Sequence, residues 1–142
     1  MAKGSTFDNQ LLKLIFNATN IANIADNTAT SPLTNLYLSL HTADPTSAGN
    51  QTSSEVSYTG YARVAVARST SGWTVSGNSV NPAATISWPA CTGGTATATN
   101  FGVGTASTGT GKLLYSGTIS PNIAIASGVT PQLTTATSIT ES

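Results

Sequence analysis

The chain has 142 residues, no net charge, an apolar fraction of 39% and a charged fraction of only 7%, against about 25% charged in an ordinary soluble domain. That length suits one domain with one core, and the pairing of neutrality with apolar content excludes intrinsic disorder, which needs low hydrophobicity and high net charge. The five basic residues, Lys3, Lys13, Arg63, Arg68 and Lys112, are scattered, so no cluster can neutralise a run of phosphates and nucleic acid is not an expected partner. The single Cys91 excludes an intramolecular disulfide framework, and with the single His41 it excludes a Cys/His zinc site. Apolar runs stop well short of the ~20 residues a membrane span needs, so no membrane partner is expected. The opening Met1-Ala2-Lys3-Gly4, with Asp8 ahead of a short apolar stretch broken by Lys13, is a poor signal peptide. Synthesis in a cytoplasm without that export route is the expectation.

Hydroxyls do the solvating that Lys and Glu usually do: there are 25 Thr and 18 Ser. Threonine is β-branched and fits the pleated surface of a strand, so this bias favours sheet. A surface with little charge also repels its own copies weakly, which suits an assembly component.

In chain order, a helix comes first. Ser5 or Thr6 can cap it and Asp8 sits in the first turn, where the helix dipole favours a negative charge. Phe7, Leu11, Leu14, Ala18 and Ile21 recur at spacings of four and three as one apolar stripe, with Lys13, Asn17 and Asn20 on the other side. The pattern weakens after Asn17, and Asp26 through Thr34, with Ser31-Pro32, reads as a linking loop. Leu36, Leu38 and Leu40 then alternate with Tyr37, Ser39 and His41, the mark of a half-buried strand. A polar loop follows from Asp44 to Ser57. Further strands are expected over Arg63–Arg68, Trp73–Val75, Ala83–Trp88, Thr95–Val103, Lys112–Ile119, Ile123–Ala126 and Gln132–Ile139. Gly- and Ser-rich turns such as Ser76-Gly77-Asn78, Gly93-Gly94 and Ser127-Gly128 separate them. The expected fold is therefore mainly β, an antiparallel sandwich over residues 35–142 preceded by a helical arm and linker over residues 1–34. About eight strands in two sheets is the count of a jelly roll.

Candidate chemistry is sparse. A Ser-His-Asp triad could use only His41, with Asp44 nearby, but no serine stands in a G-x-S-x-G sequence. His41 reads more simply as the last residue of a strand, and Asp44 as the start of a turn, either an Asx turn or the residue before Pro45. Asp8, Asp26, Asp44, Glu55 and Glu141 form no acidic neighbourhood for glycoside hydrolysis, and Asp44 with Glu55 offers too few oxygens for calcium. Gly102-Val103-Gly104 lacks the third glycine of a dinucleotide fingerprint, since position 107 is Ser. Gly111-Lys112 is followed by Leu113, where a phosphate loop needs Ser or Thr. Trp73, Trp88, Tyr58 and Tyr61 could stack on sugars, yet Trp88 alternates with Ile86 as core residues do, and Cys91 reads as a small buried hydrophobe. For Arg63 and Arg68 a solvated strand edge is a simpler reading than an interface ion pair. No catalytic residue, cofactor or metal is expected.

The segment Leu36-Tyr37-Leu38-Ser39-Leu40-His41-Thr42-Ala43-Asp44-Pro45, then Glu55, then Gly60-Tyr61-Ala62-Arg63-Val64, resembles small virion proteins of tailed bacteriophages. Ile86-Ser87-Trp88-Pro89 and Asn100-Phe101-Gly102-Val103 fit the same pattern. Members of that group are described as tail-fibre or as capsid proteins. Size and strand count point within it to the capsid cement, or decoration, protein of a Bordetella-type podophage, similar to jelly-roll clamps that dimerise outside the shell. The resemblance implies a non-enzymatic virion protein on the capsid exterior. Its partners would be the major capsid protein and a second copy of itself, a homodimer rather than a trimer. It would cement joints between shell subunits against the pressure of packaged DNA; a tail fibre or baseplate component is the alternative, and a sugar-binding sandwich a more distant one. Phe7, Leu11, Leu14 and Ile15 are the candidate interface, an apolar anchor buried against the shell or between copies.

Overall fold

A computed structural model describes residues 3–21, 25 and 32–142. The chain is mainly β, with antiparallel strand pairs and one helix at its N-terminal end, as the sequence pattern indicates. Among the described residues the order is α1 (Ser5–Asn17), β1 (Asn35–His41), β2 (Val64–Ala67), β3 (Trp73–Ser76), β4 (Ser79–Pro82), β5 (Ile86–Ser87), β6 (Ala96–Gly104), β7 (Leu113–Ile125), β8 (Gln132–Leu133) and β9 (Ile139–Thr140). They form open sheets in the orders β2-β1-β6-β7, β3-β4-β9 and β5-β8. The linking loop expected over Asp26–Thr34 lies outside the described residues as far as Ser31.

Two compact units divide the chain. One gathers Met1–Asn35, Ala67–Thr85 and Leu133–Ser142, the other Leu36–Val66 and Ile86–Gln132. In the first, β3 and β4 make a hairpin closed at Ser76↔Ser79, with Gly77 supplying the positive φ of 57° that its turn requires. Helix α1 lies on this sheet through Leu12 and Phe16, both fully buried. The Phe16 ring meets Trp73 edge-on, with centroids 4.8 Å apart, a favoured aromatic geometry. Asn9 donates to the Gly77 carbonyl at 2.6 Å and Asn17 to the Trp73 carbonyl at 3.1 Å. Asn17 therefore faces the sheet rather than turning away from it. The helix cap also differs from expectation: Gly4 is the N-cap, without a side-chain hydrogen bond, and Ser5 is already helical.

The far end of α1 is closed by Arg68. The last four carbonyls of a helix have no partner within it, and Ala18 turns left-handed there at φ 54°. Arg68 reaches back and donates from Nε to the Ile15 carbonyl at 2.6 Å and from Nη2 to the Leu14 carbonyl at 2.5 Å. Its Nη1 takes the Leu33 carbonyl at 3.2 Å. The expectation of a solvated strand end is thus corrected, because the guanidinium fork matches three fixed acceptors. Arg68→Ala is expected to lower stability by about 1–2 kcal/mol, read by urea denaturation. Arg68→Lys should recover only part of it, because one ammonium cannot span the three carbonyls.

Candidate functional site

In the second unit the pleat of β1 sends Tyr37, Ser39 and His41 to one face of the sheet and Leu36, Leu38 and Leu40 to the other. The strand pairs with β6 so that Tyr37 lies opposite Gly104, Ser39 opposite Gly102 and His41 opposite Asn100. The two glycines leave a trough beside the polar face. A Cβ at position 102 would stand 2.7 Å from His41 Nε2 and 2.8 Å from Ser39 Oγ, and one at position 104 would overlap the Gln51 amide. Gly102-Val103-Gly104, so similar to part of a nucleotide-binding fingerprint, instead makes room for buried polar side chains.

Those side chains fasten the neighbouring loops. His41 is fully buried; its Nδ1 donates to the Ser53 carbonyl at 2.8 Å, and its Nε2 accepts the Ser39 hydroxyl at 2.8 Å. Gln51, equally buried, accepts the Ala106 N–H at 2.9 Å, while its own main-chain N–H donates to the Thr110 carbonyl at 2.9 Å. A Cβ at Gly111 would overlap its side-chain oxygen. Glu55 takes Arg63 in a two-pronged pair, Nε at 2.7 Å and Nη2 at 2.8 Å, and also accepts the Tyr61 hydroxyl at 2.7 Å. Arg63 continues to the carbonyls of Ala106, at 2.9 Å, and Gly109, at 2.7 Å. Its side chain is only 3% exposed, so here too the solvated reading gives way to an internal tie. Tyr61 Oη accepts the Leu40 N–H at 3.2 Å.

Charge states follow from these partners. The Glu55 carboxylate holds the Arg63 guanidinium even further above its ordinary range. Burial first, and Glu55 in addition, pushes the Tyr61 phenol strongly upward, with the Leu40 N–H offsetting part of that shift. For His41, burial lowers the imidazole pKa and the Ser53 carbonyl offsets this only in part.

Ser39 and His41 stand at the distance of a nucleophile and its base, but the geometry turns that pair inward. The second imidazole nitrogen faces a main-chain carbonyl, and both side chains are fully buried. Asp44 Oδ1 accepts the Thr46 N–H at 2.9 Å, an Asx turn, one of the two readings of that residue, and Glu55 belongs to Arg63. The calcium reading for these two carboxylates therefore falls, and no group of three or more metal-ligating side chains lies together among the described residues. Trp73, Trp88 and Tyr58 are buried, which removes the main stacking platform for sugars. Cys91 is a buried free thiol, and no described helix is long and apolar enough to cross a membrane.

The candidate interface sits elsewhere, on α1. Phe7 is 37% exposed, and Leu11, Leu14 and Ile15 are half-buried, while Asp8, Leu12 and Phe16 turn inward. Apolar side chains thus occur on both sides of this helix, and the sheet covers one of them. A helix that is apolar beyond its core-facing stripe normally meets something else.

Among the described residues, His41, Gln51, Glu55 and Arg63 are committed to holding the chain's own loops. Comparison supplies the family: over residues 5–140 the chain matches the profile described as podophage GP4 fiber I protein gp80, and it belongs to that family of phage virion proteins. No curated protein matches the chain.

Two outcomes test the buried clamp. Gly104→Ala should cost about 1–3 kcal/mol through overpacking, and Gln51→Ala should reduce that cost, a non-additivity read from a double-mutant cycle in urea. The folded state binds the His41 proton at lower pH than the unfolded chain does. Its stability contribution is therefore present above about pH 6.5 and is lost as pH falls towards the folded-state value. The urea midpoint should drop more between pH 7 and pH 5 in the native chain than in His41→Gln; equal slopes would contradict this.

Proposed function

We propose that this chain is a non-enzymatic structural subunit on the outside of a podophage particle, acting through contact area. The match to the fiber I family over residues 5–140 carries the proposal, and the inward-turned polar groups agree with it. The family's description favours a fibre subunit. A second reading, capsid cement, draws on the resemblance of Leu36–Pro45 and Gly60–Val64 to the Bordetella-type clamp. In that role the chain would be a jelly-roll homodimer across major capsid protein joints, and binding one shell state stabilises that state by mass action. In both readings Phe7, Leu11, Leu14 and Ile15 are the anchor, since burying an aliphatic side chain contributes roughly 1.5–3 kcal/mol.

Peptide counting on purified virions separates the two: copies on the scale of the major capsid protein indicate cement, and copies on the scale of the tail's symmetry indicate fibre. Leu11→Asp with Leu14→Asp should leave the soluble fold intact and cut incorporation at least tenfold. Undiminished occupancy would show that the anchor lies elsewhere.

A further inference from the structure

The loop between β1 and β2 is built more rigidly than a connection needs. Among the described residues, and apart from Ala18 at the end of α1, the non-glycine residues with left-handed backbone are Thr46 and Ser54, at φ 60° and 54°. Both lie in this loop, and for a β-branched residue such a φ is a genuine outlier. Strain of this kind persists only where the surroundings impose it, and it collects at ligand clamps. Here they do impose it. The Ser54 carbonyl accepts the Thr42 N–H at 2.8 Å, the Ser53 carbonyl accepts from His41 Nδ1, and the Gln51 N–H reaches the Thr110 carbonyl.

Two clefts border the loop. One holds Glu55 and Arg63, whose charges are already spent on each other. The other, of about 340 Å³, opens between Asp44, Thr46 and Ser47 of the loop and residues 113–116 of β7. That size falls within the roughly 300–1,000 Å³ of small-molecule sites. Strand β7 is itself irregular there. Leu113 lies opposite Gly104 and Tyr115 opposite Val103, so Leu114 is an extra residue, a bulge of the kind that re-aims side chains beside active sites. Asp44 is exposed, and of its two carboxylate oxygens only Oδ1 is engaged among the described residues, by the Thr46 N–H.

We propose that this second cleft binds a neutral saccharide, with sugar hydroxyls on Asp44 Oδ2, Thr46 and Ser47 and the C–H face of one pyranose ring against Leu113 and Leu114. Sugar hydroxyls both donate and accept, so they suit a wall made of one carboxylate and several hydroxyls. The aliphatic wall suits the remainder of the ring. Lys112, exposed beside Leu113, brings one positive charge to the border of the cleft against the single negative charge of Asp44, so a charged ligand of either sign gains little. Because the loop is fixed in advance, binding has little left to order. The buried tryptophans removed a stacking platform, and recognition here runs through hydroxyl contacts instead. The inference goes beyond the contact role proposed above and does not rest on it.

Amide chemical shifts of the full chain, titrated with the methyl glycosides of glucose, galactose, mannose and rhamnose, read the binding. At least one glycoside should move the amides of residues 46–49 and 113–116, with a millimolar dissociation constant. Asp44→Asn keeps an oxygen for the Asx turn. It should weaken that binding about tenfold or more, with the rest of the spectrum unchanged. Thr108→Ala, in the other cleft, should bind as the native chain does. The proposal is overturned if none of the four glycosides moves these amides, if Asp44→Asn binds as tightly as the native chain, or if Thr108→Ala weakens binding equally. Ethanolamine, an amine probe, overturns it too if it moves these amides where no glycoside does. Virion incorporation is counted separately, so failure here leaves the contact role standing.

Discussion

The second unit depends on the close approach of polar side chains to a strand that has given up its own. Gly102 and Gly104 of β6 lie opposite Ser39 and Tyr37 of β1, and the space they leave is filled by His41, Ser39 and Gln51. Each of those groups is costly to bury alone and is held only because it finds a partner. Ser53, Ala106 and Thr110 provide those partners from two loops, so the loops are fixed by the same contacts that make the polar burial tolerable. A methyl group in the trough would disturb both.

Scarcity of charge gives each charged residue unusual weight. Arg63 is spent on Glu55 and two loop carbonyls, and Arg68 on three carbonyls at and near the end of α1. Lys3 joins Glu141 and, at 3.5 Å, Asp8, drawing the two chain ends of the first unit together. Both arginines bind groups that are already fixed, which is where a guanidinium outperforms a flexible ammonium. What remains for the surface is hydroxyl-rich and nearly neutral, and that permits close packing with neighbours.

Much of this was readable from the residues, and the failures have physical causes. Leu36, Leu38 and Leu40, the core placement of Ile86 and Trp88, and the turn at Asp44 followed from alternation and turn chemistry. The strand Ser79–Pro82 carries one aliphatic residue and a proline, so no alternation signalled it. Lys112–Ile119 and Ile123–Ala126 read as two strands, yet β7 runs through both, and Pro121 falls where its register with β6 shifts, between Thr118 opposite Asn100 and Ile123 opposite Ala98, an irregularity of the kind that tolerates proline. The expected strand Gln132–Ile139 is two short ones, β8 and β9, separated by the Thr134–Thr137 turn. Along α1, apolar residues occupy several sides, so periodicity alone could not choose between Phe7-Leu11-Leu14 and Leu12-Phe16 as the face against the sheet. Arg63 and Glu55 are eight residues apart in a loop, and no local pattern announces that they pair.

The family places the chain among phage virion proteins, and the side of α1 that carries Phe7, Leu11, Leu14 and Ile15 is its proposed attachment. Electron cryomicroscopy of the virion tests this most directly. Density for the chain is expected on the particle's exterior, with Phe7, Leu11, Leu14 and Ile15 packed against a neighbouring subunit. A particle that lacks the chain, or one that carries it with this helix face open to solvent, would contradict it.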